Sequence, residues 1–314
     1  MTPEEHWGLW RSDPRATPFQ SPAWLAAWST HLGGGKRLDA EVRDDAGSLV
    51  AALPLFVWVD GPTRRLVSVG AGHSDYGDAL LDPAAPDALP RLWQEIACTA
   101  DRWDELLLPD LRPDSPLLGP VPPGWQAEDA PHETCPVLTI PPDGQVLAAL
   151  TKSQRRKIVH DRHRAAALGG VETRIVQPHE IETTLDTLFT LHAARWQAAG
   201  EAGVLADPRI QAFHRAAAAA LAAAGLLRLV AVTHHGETVA VLLGFCDGRR
   251  GYSYINGVAF IPGQSFGTLA FAHLIQTCAA EGARAFHFLR GQEPYKYAWG
   301  ANPTTTVRRV VRRA

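Results

Sequence analysis

The chain has 314 residues, 46% of them hydrophobic, enough for two ordinary domains or one large one with real cores. Charged residues make up 20% and the formal net charge is −3. That balance excludes a global pull toward nucleic acid or an anionic membrane, so no DNA partner is expected.

The four cysteines, Cys98, Cys135, Cys246 and Cys278, lack the short spacings of a zinc or iron–sulfur site and read as buried thiols, with no metal expected. The start, Met1-Thr2-Pro3-Glu4-Glu5-His6, is acidic and polar where a signal peptide is basic and then apolar. The most lipid-like stretch, Ala216 to Leu227, is mostly alanine and too short to span a bilayer. A cytoplasmic location is expected.

In chain order, the first half reads as α+β. A helix is predicted over Pro22 to His31, strands over Leu38 to Val42, Leu49 to Val59 and Arg65 to Val69, and a helix over Pro86 to Arg102. Residues 111–145 are dense in proline and glycine and read as a linker between domains at 1–110 and 146–314. A basic helix follows over Val146 to Leu168, then a strand over Glu172 to Val176. The helix Ile181 to Ala199 gathers Leu185, Leu188, Phe189 and Leu191 largely on one face. A second helix, Pro208 to Ala224, ends at Gly225. Three antiparallel strands are predicted next: Leu227 to Thr233, Thr238 to Cys246 and Gly251 to Phe260. The run Ile261-Pro262-Gly263-Gln264-Ser265-Phe266-Gly267 then opens a helix with Phe271, Leu274, Ile275 and Cys278 at i, i+3, i+4, i+7. After Gly282, Ala285 to Leu289 reads as a short parallel-type strand. Val307 to Arg313 alternates like an edge strand with a basic face turned to solvent.

Chemistry concentrates at a few places. The loop Pro262 to Gly267 stands at a helix start, where free N–H groups and the helix dipole suit a pyrophosphate; a purely structural turn is the competing reading. Gly70-Ala71-Gly72-His73-Ser74-Asp75 follows a strand but no helix follows it, so it fails as a dinucleotide loop. The same segment misses the Gly-x-Ser-x-Gly elbow of hydrolases by one place. His73, Ser74, Asp75 and Tyr76 then read as a polar loop facing a cleft, or as a satisfied turn. Lys152, Arg155, Arg156, Lys157, Arg162, His163 and Arg164 form either a solvated helical face or an acid-binding one. His192, Arg195 and Trp196 suit a cationic and aromatic pocket wall, or ordinary helix-end packing. Tyr295, beside Lys296, is a candidate proton donor with a lowered pKa.

Several runs resemble one family: Ser21-Pro22-Ala23-Trp24-Leu25, Lys152 to Gly169, Leu191-His192-Ala193-Ala194-Arg195-Trp196, Phe213-His214, Gly267 to Ile275, and Phe286 through Lys296. They look like the acetyltransferases of the GNAT superfamily named after a cellulose-biosynthesis protein, a family similar to the FemAB-type aminoacyl transferases built of two GNAT units. The resemblance implies an α/β (α+β) tandem GNAT-like fold, two mixed-sheet units flanked by helices, the first one degenerate. It implies acetyl-CoA as donor and a small amine or sugar as acceptor, attacked directly at the thioester.

In that frame Gln264, Ser265, Phe266, Gly267 and Thr268 hold the carrier's pyrophosphate, and the strand at Ile255, Gly257 and Val258 holds the acyl end and an oxyanion. Pro262 and Ser265 depart from the family's Arg/Gln-x-x-Gly-x-Gly/Ala loop. Tyr295 is expected as acid, Asp75 and His192 in base or substrate roles, and Tyr76, Arg195, Trp196, Tyr254, Arg290 and Lys296 as substrate-binding. Two alternatives stay open: an aminoacyl transferase fed by charged tRNA, and a non-catalytic module of envelope polysaccharide production.

Overall fold

The computed structural model describes residues 1–198 and 200–314, so Ala199, the expected end of one helix, lies outside the described residues. Residues 1–134 with 304–314 form one compact unit and residues 135–303 a second. The first unit holds α1 (Pro3–Ser12), α2 (Pro22–His31), β1 (Lys36–Arg37), β2 (Ala40–Arg43), β3 (Leu49–Leu53), β4 (Leu55–Asp60), β5 (Thr63–Ser68), β6 (Leu80–Leu81), α3 (Ala88–Cys98), β7 (Glu105–Leu111) and β8 (Trp125–Thr134). The second holds β9 (Val137–Thr139), α4 (Val146–Ala149), α5 (Lys152–Leu168), β10 (Val171–Ile175), α6 (Ile181–Ala198), α7 (Pro208–Ala223), β11 (Leu227–His234), β12 (Glu237–Cys246), β13 (Arg250–Val258), α8 (Phe266–Ala280), β14 (Ala285–His287) and α9 (Pro294–Ala298). The last strand, β15 (Thr305–Arg313), belongs to the first unit. Among the described residues, no helix is long and apolar enough to cross a membrane.

In the first unit a six-stranded sheet runs β1-β4-β5-β7-β15-β8, with β2-β3-β6 as a small second sheet. The single strand expected over Leu49 to Val59 is two strands in different sheets, because Pro54 has no N–H for a ladder and the chain turns there. The expected linker is also corrected. Its residues 125–134 form the long strand β8 and 137–139 form β9, since a strand at a sheet edge tolerates proline where its N–H side is unpaired. The tail is not an edge strand either: β15 lies between β7 and β8, and Arg309 makes a bidentate pair with Asp129 at 2.7 Å through Nε and Nη2. Cys98 is exposed rather than buried, while the other three cysteines are buried thiols.

The second unit's sheet runs β10-β11-β12-β13-β14-β9, antiparallel except for β13 beside β14. The crossover α8 covers one face with Phe271, Leu274, Ile275 and Cys278 buried, as their spacing requires. Helices α6 and α7 pack on strands of the same sheet. Gly251 of β13 abuts Cys278 of α8, so strict alternation would also turn Gly257 toward α8. Gly257 instead meets the Leu188 carbonyl and the Leu191 side chain of α6. A bulge explains the reversal: Leu243 pairs Ile255 and Gly244 pairs Ser253, leaving Tyr254 as an extra residue. Asn256 and Val258 are thereby delivered to the α8 face.

Two predictions follow from this packing. A Cβ at Gly257 would stand 2.8 Å from the Leu188 carbonyl oxygen and 2.8 Å from the Leu191 Cβ, so Gly257→Ala should cost about 1–3 kcal/mol in urea denaturation. In the first unit, the Asp78 carboxyl accepts from Ser115 (2.9 Å) and from the Ala79 N–H (2.8 Å) on one oxygen, while its other oxygen is buried without a partner. Burial pushes its pKa up to about 6 against the pull of Arg15 and Arg112. A carboxyl whose folded pKa is raised contributes stability below its unfolded value and loses it as pH rises through the folded value. Relative to Asp78→Asn, the native chain should therefore lose stability between pH 4 and 6, read from denaturation midpoints at both ends of that window.

Candidate active site

The parallel ladder of β13 with β14 is three pairs long, Arg250↔Ala285, Gly251↔Phe286 and Tyr252↔His287. Beyond it β13 continues to Val258, while Phe288 keeps to the β9 side and donates its N–H to the Pro136 carbonyl. The strands diverge, and the opening is closed by α5, the first turn of α8, and α9. A cavity of about 240 Å³ lies there, with Asn256 and Val258 on the strand side, Ser265, Gly267 and Thr268 on α8, and Lys157, Arg195, Tyr295 and Trp299 around it.

The first turn of α8 has no side-chain cap at Ser265, so its leading N–H groups keep their capacity for an outside acceptor. A Cβ on Gly267 would meet nothing closer than the Val258 Cγ2 at 3.5 Å. Asp161, buried on α5, accepts from the Thr268 hydroxyl at 3.2 Å and from Lys157 at 3.1 Å, tying the two helices together. Gly263, with φ +75°, leaves the space a Cβ would fill to the Arg164 guanidinium.

Tyr295 enters the cavity from α9 against Phe271, ring centroids 5.1 Å apart. Burial, reinforced by the Glu293 charge, pushes its hydroxyl well above the ordinary phenol range, and Arg195 and a hydrogen bond with Asn256 offset only part of this. The expectation of a lowered pKa is corrected: Tyr295 is a protonated phenol at any physiological pH, as a proton donor must be.

His192 is also corrected. Its Nε2 accepts the Trp196 indole N–H at 2.9 Å, and since an indole only donates, the proton of the neutral ring sits on Nδ1, which is buried without a partner. Neither nitrogen is open to act as a base. Burial, then the Arg195 charge, lowers its pKa. Trp196 is accordingly occupied with His192 and with Gly203, over which its ring packs.

Lys296, expected at the substrate, is buried under the preceding loop. Its ammonium donates to the carbonyls of Leu289 (3.1 Å), Arg290 (2.6 Å) and Gly291 (3.2 Å) and pairs with Glu293 at 2.9 Å. That clamp holds a turn in which Leu289 and Gly291 have φ +59° and +110°. Arg290 belongs to this turn rather than to the cavity lining.

The other expected residues divide. Ser265, Gly267, Thr268 and Val258 line the cavity, whereas the Phe266 side chain is core, leaving only its N–H for the site. Ile255 and Gly257 stand in the β13 ladder, the latter against α6. Gln264 lines a neighbouring cavity. Tyr254 packs on His214 and Phe245. In the first unit, Tyr76 is buried, edge-on to Phe19 and under Arg112. Asp75 is buried in the loop after β5 of that unit. Sequence reasoning missed Asn256 and Trp299; a lone amide inside an apolar strand was the available sign for the first.

This architecture is a tandem GNAT-like fold, in which two parallel strands diverge with a helix start beside the opening. Residues 152–297 match the family model of the acetyltransferase (GNAT) domain. No curated protein matches the sequence. Among solved structures, FemX is similar with a TM-score of 0.67 and 13% identity, over 98% of this chain and 96% of that one. The C-terminal domain of a putative lysylphosphatidylglycerol synthetase from Agrobacterium fabrum matches at 0.57 and 11% identity, over 99% and 92%. L-PGS from Bacillus licheniformis matches at 0.57 and 13% identity, over 93% and 92%.

The His192 assignment is checked by nitrogen-15 NMR of the imidazole. The ring should titrate below the ordinary value of 6.5 and show the Nδ1–H tautomer above it; a midpoint above 6.5 contradicts the burial described.

Proposed function

We propose that the chain is an acetyltransferase that takes its acyl group from acetyl-CoA and passes it to an amine or hydroxyl of a small acceptor. The observation that carries this reading is the uncapped first turn of α8 opening onto a cavity whose opposite wall presents Tyr295 with its proton retained. The donor set suits a pyrophosphate: the N–H groups of Phe266 and Gly267 together with Lys157. Pro262 lacks the cation that the family loop carries, and Arg164, seated over Gly263, supplies one from α5 instead. When bound, the thioester supplies an activated acyl carbonyl.

Each wall of the cavity then has a task. The stretch of β13 released from β14 presents backbone toward the opening, and Asn256 orients the Tyr295 hydroxyl. Tyr295 holds the proton that a leaving thiolate requires. Ile158, Phe271 and Trp299 line the same space with apolar surface and exclude water.

An aminoacyl transferase fed by charged tRNA is the second reading. It is favoured by the exposed face of α5, where Lys152, Arg155, Arg156, Lys157, Arg162 and Arg164 stand with no exposed acid on that helix. The aminoacyl chemistry in the name of the Agrobacterium fabrum relative agrees with it.

Isothermal titration with acetyl-CoA separates the two. Micromolar binding that Gly267→Glu weakens by about tenfold or more is expected for a phosphate site at the helix start. Tyr295→Phe should bind equally but turn over roughly 10²-fold slower. Absence of binding at millimolar acetyl-CoA removes the first reading.

A further inference from the structure

A second cavity of about 450 Å³ adjoins the first and shares only Val258 and Arg195 with it. Its walls are Leu191, Ala194 and Ala198 of α6 and Ala259, Phe260 and Ile261 of the loop after β13. Phe260, 91% exposed, leaves a large ring uncovered at the rim. Acyl transfer brings two molecules together, and two cavities meeting at the end of one strand provide a place for each. With the α8 side suited to the donor, the α6 side is left for the acceptor.

We infer that this acceptor is an apolar α-amino acid, its carboxylate on Arg195, its side chain in the α6 cavity and its amine directed toward the first cavity; the inference rests on the acyl-transfer reading above. Arg195 is exposed and, among the described residues, no carboxylate pairs with it. One guanidinium matches the two oxygens of one carboxylate in a forked pair. No second Lys or Arg lines this cavity, as a phosphate dianion would call for. Gln264 is the one uncharged polar side chain in the lining, too few partners for the hydroxyls of a sugar. The remaining walls are apolar and suit a branched or aromatic side chain.

The transfer balances without a further reactant. The amine nitrogen forms the new bond to the acyl carbon, the bond from that carbon to the carrier's leaving atom breaks, and the proton lost by the amine is matched by the one gained by the leaving atom through Tyr295. The product is an N-acyl amino acid and the free carrier.

The test is equilibrium titration without donor, using L-leucine, leucinamide, glycine and glucosamine as probes. Leucine should bind best, and leucinamide roughly tenfold or more weaker for want of the carboxylate. Arg195→Gln should reduce leucine to the level of leucinamide, while Arg195→Lys keeps part of the difference. Ala194→Trp, filling the cavity from an exposed helix position, should abolish the preference of leucine over glycine; circular dichroism verifies that each variant is folded. Equal binding of leucine and leucinamide, stronger binding of glucosamine than leucine, or indifference to Arg195→Gln overturns the inference. Because no donor is present, leucine binding with no acetyl-CoA binding leaves the acceptor site standing and removes the donor reading, and the converse removes only the acceptor.

Discussion

The candidate site depends on a parallel ladder that stops after three residue pairs. Had β13 and β14 stayed paired to the end of β13, their backbone groups would be spent on each other and no cavity would open. The crossover helix α8 joins the two strands, so its start falls beside the opening as a consequence of connectivity. The bulge at Tyr254 then decides which side chains face that opening, since one extra residue reverses the alternation and brings Asn256 and Val258 to it.

Polar ties inside the second unit hold the walls in place. Asp161 links α5 to the first turn of α8 through Thr268, and Gln154 of α5 donates to the Tyr297 carbonyl of α9 at 3.0 Å. Lys296 closes the third side by gathering carbonyls of the turn before α9. A buried ammonium is tolerable only when its donors are met, and here the three carbonyls and Glu293 meet them. Tyr295, next in sequence, inherits its position from that clamp. The same burial that fixes the ring keeps its proton on, so position and chemistry have one cause.

Charge is distributed unevenly over a chain that is nearly neutral as a whole. The exposed cations of α5 gather beside the first cavity, and Arg195 of α6 stands where the two cavities meet. By contrast, one arginine of the tail is taken up within the first unit's sheet, where Arg309 is 5% exposed and neutralised by Asp129, while Arg308, Arg312 and Arg313 stay exposed. A run of basic residues in sequence therefore has no fixed meaning: in α5 it faces outward because Ile158, Asp161 and Ala165 take the buried side, and in β15 alternation turns Arg309 and Val311 to the buried face and Arg308 and Arg312 to the exposed one.

Much of the second unit was legible from local pattern. The meander β11–β12–β13, the buried stripe of α8 and the glycine-bearing loop before it are written in periods of 2 and 3.6 residues and in turn residues, all properties of adjacent positions. What local pattern cannot carry is pairing between distant segments. That Pro54 separates two sheets, that 125–134 forms a long strand despite Pro131, and that residues 305–313 return to lie between β7 and β8 are decided by partners far along the chain. The roles of Tyr295, His192 and Lys296 were likewise beyond sequence, because a titrating group's behaviour follows from what surrounds it: desolvation held the phenol's proton, an indole occupied the imidazole, and three carbonyls claimed the ammonium. Sequence by itself determined which residues were available to a glycine-bearing loop and a helix start; the tertiary structure alone decided which of them face a common space, since that depends on where two strands part.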